Sequence, residues 1–433
     1  MRKRTLQLIV SLSLVLAIYV LVSRPRPALV QYPSELLDRC AAVELVWDRS
    51  IPTHEQELAI TPHAEYQANW SSDGRRLTIN PVSSWAWETT YTIELAGDQE
   101  CQFTTQPTPR ISLFAAGDVM LDKMPGEHIL HYGPDDVLAG MNDLSLKADL
   151  AFVNLEGPVS QRGAPVNKRY TFCGKPEALQ ALVAAGIDVV SLANNHALDY
   201  GQPAFLDTMQ YLRNCGIGYA GSGTSQAEAF SPLITQVGDL SIAFLAFGQR
   251  DVLPLWAQTA WLATKEQSGI AVHDAPGARD LMFAAIDQAK QVADLVIVSL
   301  HWGYEGLVEP LAWQRDLGRA IIDAGGTAII GHHPHQPYGV ELYCGKPIFY
   351  SLGNFLFHPY EDTQREGYVV LLEMSQEGVS GFELVPILME QGRTSVLTGS
   401  AADQVLDLVL SRSKKLGSEL DRKQGRLLWR GGD

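Results

Sequence analysis

Cysteine is scarce in this chain: five residues in 433, at positions 40, 101, 173, 215 and 344, with no CxxC spacing. Cys173, Cys215 and Cys344 are scattered and read as packing residues. Cys40 and Cys101 bracket one stretch, and a disulfide between them would staple a small domain. Positive charge is also short. Lys and Arg total 33 against 49 Asp and Glu, a formal net charge of −16. That argues against a nucleic-acid partner, because phosphate binding needs a basic patch. No internal repeat is visible. At 46% apolar and 19% charged, the composition is that of a globular chain with ample core. Its length suits two or three domains.

Residues 5–23 are an apolar run behind Arg2, Lys3 and Arg4. As a helix the run spans roughly 28 Å, one hydrocarbon core, and the basic start predicts a cytoplasmic N-terminus at residues 1–4. No small-x-small cleavage site follows, and no cysteine is placed for a lipid anchor. The expectation is an uncleaved, single-pass signal anchor with the bulk of the chain outside the cytoplasmic membrane. Residues 24–33 (RPRPALVQYP) form a Pro-rich spacer.

Residues 34–105 read as a small all-β sandwich: VELVWD, AEYQANW, RRLTINP, TTYTIELAG and ECQFTT, separated by turns such as Ser72-Asp73-Gly74. The stretch from ANWSSDG to TTYTIEL resembles bacterial Ig-like domains of surface proteins. QPTPR, residues 106–110, reads as a linker, and the texture then becomes βαβ from residue 111 to about 400. Helical stretches separate the strands, and a mixed sheet pair flanked by helices, an αββα sandwich, fits the alternation. Residues 401–433 read as a closing helix and a basic, frayed tail carrying Lys414, Lys415, Arg422, Lys423, Arg426 and Arg430.

Five apolar runs end in metal-capable residues. ISLFAA meets Gly117-Asp118, DLAFV meets Asn154-Leu155-Glu156, and VVSLA meets Asn194-Asn195-His196. LVIVSL meets His301, and TAII meets Gly331-His332-His333-Pro334-His335. Ligands gather outside the carboxyl ends of strands in α/β sheets, so these residues are expected at one place. In an extended turn His333 and His335 point the same way. Asp118, Glu156, Asn195, His301, His333 and His335 are the candidate ligands of one or two divalent ions, with Mn, Fe or Zn suited to imidazole. His196 suits a general acid, held in one tautomer by Asp199. Glu305 is near enough in sequence to orient His301 or take a proton. Asn154, Lys168, Arg169 and Asn354 are candidate substrate contacts.

NLEGP, SLANNHALDYG, SLHWGYE, IIGHHPH and GKPIFYSLGNFLF, in this order, resemble the CapA family, named for capsule and poly-gamma-glutamate synthesis. That family is similar to the calcineurin-like metallophosphoesterases. The resemblance implies a four-layer αββα sandwich with a dinuclear site, in which Asn195-His196, His301, and His333 with His335 match the corresponding blocks. Two departures stand out. Asp118-Val119-Met120 replaces Asp-x-His, and Asn154-Leu155-Glu156 replaces the Gly-Asp block. The implied function is a membrane-anchored, extracytoplasmic, metal-dependent hydrolase or transferase. It would act on an anionic polymer or phosphorylated envelope substrate, beside capsule synthase partners. The alternatives are a non-catalytic component of a polymer synthesis or export complex, and a phosphodiesterase or nucleotidase unrelated to capsule.

Overall fold

The computed structural model describes residues 27–33, 36–52, 58–95 and 99–431. The expected membrane segment lies outside the described residues. Among the described residues no helix is long and apolar enough to cross a membrane. The chain divides into two compact units, Met1–Thr108 and Pro109–Asp433.

The first unit has two antiparallel sheets. One runs β1 (Leu29–Gln31), β2 (Val43–Trp47), β5 (Arg76–Pro81), β4 (Tyr66–Trp70). The other runs β3 (Leu58–Thr61), β6 (Thr90–Leu95), β7 (Gln99–Thr104). Alternation turns Val43, Leu45, Trp47, Leu77, Ile79, Ile93 and Phe103 into one core around Trp85. The buried indoles are satisfied: Trp85 donates to the Ala41 carbonyl at 2.9 Å and Trp47 to Gln99 Oε1 at 2.9 Å. Tyr91, at the start of β6, accepts a hydrogen bond from the Ala86 amide at 2.9 Å. The Cys40–Cys101 disulfide does not form. β7 turns Cys101 into the core, where burial pushes its thiol up to about 11, while Cys40 sits in an exposed turn.

The second unit has two large mixed sheets. The first runs β11 (Gly218–Ala220), β10 (Val189–Ser191), β9 (Leu150–Leu155), β8 (Arg110–Val119), β21 (Glu366–Ser375), β22 (Gly378–Glu390), β25 (Arg426–Arg430), β24 (Asp421–Lys423). Beside β8 lies β20 (Asn354–Leu356), and beside β22 lies β23 (Arg393–Val396). The second runs β13 (Leu233–Val237), β14 (Leu240–Gly248), β16 (Leu295–His301), β17 (Ala328–His332), β19 (Lys346–Phe349), β18 (Val340–Tyr343). A two-residue ladder joins β12 (Ser222–Gly223) to β15 (Gly269–Ile270).

Period-2 alternation sends each strand's side chains into two different cores. Leu113, Phe152, Ile242, Phe244, Ile297, Ile330, Phe349 and Leu372 share one cluster that draws on both sheets. Phe114, Val153 and Val190 pack instead with Phe205 and Met209 of the helix Gly201–Asn214. Leu245 and Val298 do the same with Ile286 of the helix Ala278–Val292 and Ile321 of the helix Ala312–Ala324. Each such fully buried side chain contributes about 1.5–3 kcal/mol. The stretch at residues 134–148 holds only the short helix Asn142–Ser145, while an unexpected helix, Lys123–Tyr132, precedes it.

Residues 413–431 are not frayed. The helix Gly399–Lys415 buries Leu406 and Val409 in the inter-sheet core, and β24 and β25 extend the first sheet as a hairpin. Four of the six basic residues have acidic partners: Arg422 with Asp403 and Asp407, Arg426 with Glu383, Arg430 with Glu373, Lys415 with Glu309.

Candidate metal centre

The first sheet brings oxygen. Asp118 lies one residue before the end of β8, just past a bulge, an irregularity that re-aims a side chain. Strand register sets Asn154 on one side of it and Asn354 on the other. Asn154 Nδ2 donates to Asp118 Oδ1 at 2.8 Å. Gly117 makes this packing possible, because an added Cβ would stand 1.8 Å from the Gly353 carbonyl oxygen. Glu156 follows β9, and Asn195 and His196 follow β10.

The second sheet brings nitrogen. His301 ends β16 in register with His332 of β17. The next turn is not extended, contrary to expectation: His333 has φ 98° and His335 φ 60°. Two non-glycine residues in left-handed backbone cost of order 1–3 kcal/mol each unless the surroundings hold them. Here the His333 amide donates to Asp118 Oδ2 at 3.3 Å, and His335 Nδ1 lies 2.7 Å from Asn354 Oδ1.

Asp118, Glu156 and His301 each offer a ligand atom within 4.8 Å of the others. Around Glu156 Oε1 stand three imidazole nitrogens: His196 Nε2 at 3.8 Å, His301 Nε2 at 3.9 Å and His335 Nε2 at 3.8 Å. These gaps are too long for hydrogen bonds, and both Glu156 oxygens are buried without a partner. Donors that share one ion at about 2.1 Å each stand roughly 3–4 Å apart. Asn195 Oδ1 and His333 Nδ1 both approach His301 Nε2, at 2.8 and 3.1 Å. The residues therefore fit a divalent ion.

Charge in the cluster is uneven. Burial raises Glu156 well above the ordinary carboxylate range, and the Asp118 charge adds to this. Burial opposes the charge of Asp118 too, but His332 and His335 hold it well below that range. Burial works against protonated His335 as well, yet Glu156 and Asp118 carry it up to about 10. Burial and the neighbouring His335 push His333 down to about 3. Without an ion, charge is disfavoured on Glu156 and favoured on Asp118 and His335.

His196 stands apart. Its Nδ1 lies 2.5 Å from Asp199 Oδ2, and its ring stacks on Phe172 at 4.2 Å. Burial, assisted by Lys168, lowers its pKa to about 4. Lys168 is a correction to the substrate-contact expectation. Its ammonium is buried, donates to Asp199 Oδ1 at 3.0 Å and to the Asn195 carbonyl, and faces inward. Asn154 and Asn354 are corrected likewise: their amides are engaged with Asp118 and His335 and are fully buried. Glu305 does not orient His301, whose ring meets Asn154, Asn195 and His333. It is exposed, in a cleft of about 190 Å³ that also borders Arg169, Tyr170, Tyr360, His196 and His335. Arg169 lines this cleft.

Sequence reasoning missed Asn194, which ties Asn154 Oδ1 to the Leu155 carbonyl, and the paired rings of Tyr170 and Tyr360, 4.7 Å apart. Asn194 sits inside an already suspect block. The tyrosines lie in loops far apart in sequence and carry no periodic signal.

Facing sheets, one bringing both carboxylates and His196 and the other the remaining imidazoles, define the class: a mixed α/β protein with a buried cluster able to hold metal. The chain belongs to the bacterial capsule synthesis protein PGA_cap family, which matches residues 112–359. The capsule biosynthesis protein CapA of Bacillus anthracis is 28% identical over 73% of this chain and 77% of its own. The PGA biosynthesis protein CapA of Bacillus subtilis is 30% identical over 65% of this chain and 74% of its own. A solved phosphatase structure from Mycoplasma pneumoniae aligns at 15% identity and TM-score 0.41, over 65% of this chain and 94% of that one. Likeness at that level carries no functional inference.

Proposed function

We propose that this protein is a metal-dependent hydrolase or transferase of metallophosphoesterase type, acting on an anionic substrate in capsule or poly-gamma-glutamate biosynthesis. The observation that carries the reading is Glu156 Oε1, buried, unpartnered and ringed by three imidazole nitrogens at 3.8–3.9 Å. The family and its CapA relatives support the capsule context. The two facing sheets with helices against their outer faces support the four-layer αββα reading.

Asp118, Glu156, Asn195, His301, His333 and His335 would hold the ion, which when bound supplies Lewis-acid polarisation of a phosphoryl or carbonyl oxygen. Met120, packed with Phe172, Phe357 and Met389, puts apolar surface where the metallophosphoesterase pattern has a histidine. This favours one ion over two. Asp199 accepts from Nδ1–H of His196 and leaves Nε2 toward Glu156 and the cleft, suited to take or return a proton at the reacting group. Arg169, on the cleft wall, suits an anionic group of the substrate.

The N-terminal run behind three basic residues supports a single-pass anchor with an extracytoplasmic body. The strand orders β1-β2-β5-β4 and β3-β6-β7, with the hydrogen bond at Tyr91, support an Ig-like reading of the first unit.

Elemental analysis of the purified protein beside Asp118→Ala and His333→Ala tests this. About one equivalent of metal, lost in both variants, supports the centre and opens a screen of phosphodiesters and poly-gamma-glutamate. No metal after incubation with Mn, Fe or Zn would leave a non-catalytic role in a polymer synthesis or export complex.

A further inference from the structure

The loop at residues 302–311 borders two cavities. Glu305 lines the cleft over the histidines, whereas Glu309 and Pro310 line another, of about 90 Å³. This second cavity has room for a few waters or one small oxyanion. Its charged lining is Arg315, Arg412 and Lys415 against the single carboxylate of Glu309. Such a surplus of cations is unusual in a chain of net charge −16.

Lys415 pairs with Glu309. The two arginines are less well served. Arg315 Nε is buried and makes no hydrogen bond; Glu341 Oε2 is 3.7 Å from it. Glu341 is already engaged by Arg319 and by the Tyr350 hydroxyl at 2.6 Å. Arg412 is half-buried, and burial lowers its pKa. Among the described residues it pairs with no carboxylate, and its Nη1 donates to the Pro337 carbonyl. A half-buried guanidinium without a carboxylate partner, as at Arg412, is costly. Arg412, and Arg315 with only a distant and already engaged Glu341 oxygen, open onto one cavity, and an anion that both can grip would stabilise them, since the guanidinium fork matches carboxylate and phosphate oxygens. Pro310 and Arg315 also place the N-terminal end of the helix Ala312–Ala324 beside the cavity, where the helix dipole favours negative charge.

We propose that this cavity binds one oxyanion group, a carboxylate or a phosphate, gripped by Arg315 and Arg412 with Lys415 beside them. The site has a mechanical link to the histidines. Arg412 holds the carbonyl of Pro337, two residues beyond His335. At Gly339 an added Cβ would meet the Arg412 backbone at 2.4 Å, so the last turn of the helix Gly399–Lys415 lies tight against this segment.

The test is calorimetric titration of the full chain with inorganic phosphate and, separately, with a γ-linked oligoglutamate. The wild type is compared with Arg315→Gln, Lys415→Gln and the double variant. Arg412→Gln is left out because loss of the Pro337 contact can disturb folding. Any anion taken up by the metal centre is common to all four proteins and cancels. The expected result is at least tenfold weaker binding in the double variant. Weakening for phosphate alone would identify a free phosphate site, and weakening for the oligomer alone a polymer carboxylate site. Wild-type and double-variant isotherms that coincide for both probes, or no saturable binding at all, would overturn the proposal. Metal content of the same samples reports on the metal centre separately.

Discussion

Asp199 Oδ2 lies 2.5 Å from Nδ1 of His196, and this contact decides which imidazole nitrogen faces Glu156. Asp199→Asn replaces a carboxylate that only accepts with a neutral amide that can also donate, and so loses the preference for the Nδ1–H tautomer. The expected outcome is a fall in kcat of about 10²–10⁴ on any substrate the protein turns over, with KM and metal content unchanged. Steady-state kinetics and elemental analysis of the same sample check both. Loss of metal together with rate would mean that Asp199 serves the centre's fold rather than His196.

Lys168 and Asp199 are a buried pair, their side chains 12% and 0% exposed. Lys168→Met strands the carboxylate, and breaking such a pair costs about 3–5 kcal/mol. Urea denaturation should show it as a lower midpoint at unchanged slope. Lys168→Arg keeps the charge and should recover part of the loss. A methionine variant as stable as the wild type would contradict the pairing.

Gly117→Ala is expected to be worse than its size suggests. The new methyl would press on the backbone of Gly353, not on a flexible side chain. β20 then has to move, taking Asn354 away from His335. We expect at least a tenfold loss in metal affinity, read by competition with a fluorescent chelator, where an alanine at exposed Gly216, with open space around it, leaves affinity intact.

Metal loading should release protons. In the ion-free protein burial raises the pKa of Glu156, and against burial Glu156 and Asp118 carry His335 up to about 10, so His335 holds a proton near pH 7. An ion that takes its lone pair displaces that proton. Calorimetry in buffers of different ionisation enthalpy should count at least one proton released per ion, and affinity should fall as pH is lowered. A heat independent of buffer would remove this account.

His273 supplies a pH effect outside the centre. It is buried, neither ring nitrogen has a partner, and burial lowers its pKa to about 4, with Asp274 opposing. Its folded pKa lies below its unfolded value near 6.5, so the unfolded chain binds the proton first. The associated stability is present above pH 6.5 and is lost as pH falls toward 4. Each pH unit in that window costs up to about 1.4 kcal/mol. His273→Phe should flatten the stability profile between pH 6.5 and 4; parallel profiles would rule His273 out as the source.

The residues of the centre were legible in the sequence because strand ends mark them: Asp118, Asn195, His301, His333 and His335 each close an apolar run. What they do there was less legible. Lys168 reads as a substrate contact until Asp199 is found beside it, and Asn354 does so until β20 pairs with β8. Both depend on contacts between segments far apart in sequence. The tail misled for the same reason: its arginines look free in the sequence, yet Glu373, Glu383, Asp403 and Asp407 lie across the fold. Periodicity found the strands but could not assign β8, β9 and β10 to one sheet and β16 and β17 to another.

The chain visits the first sheet twice. It lays down β8 to β11, builds the whole second sheet, and only then returns with β20 to β25. β8, which carries Asp118, stays unpaired along one side until residues 354–375 arrive. The centre is thus a late product of synthesis, completed when its last supporting strands close over it. Fragments that end before β20 would carry every ligand and still lack the frame that aims them.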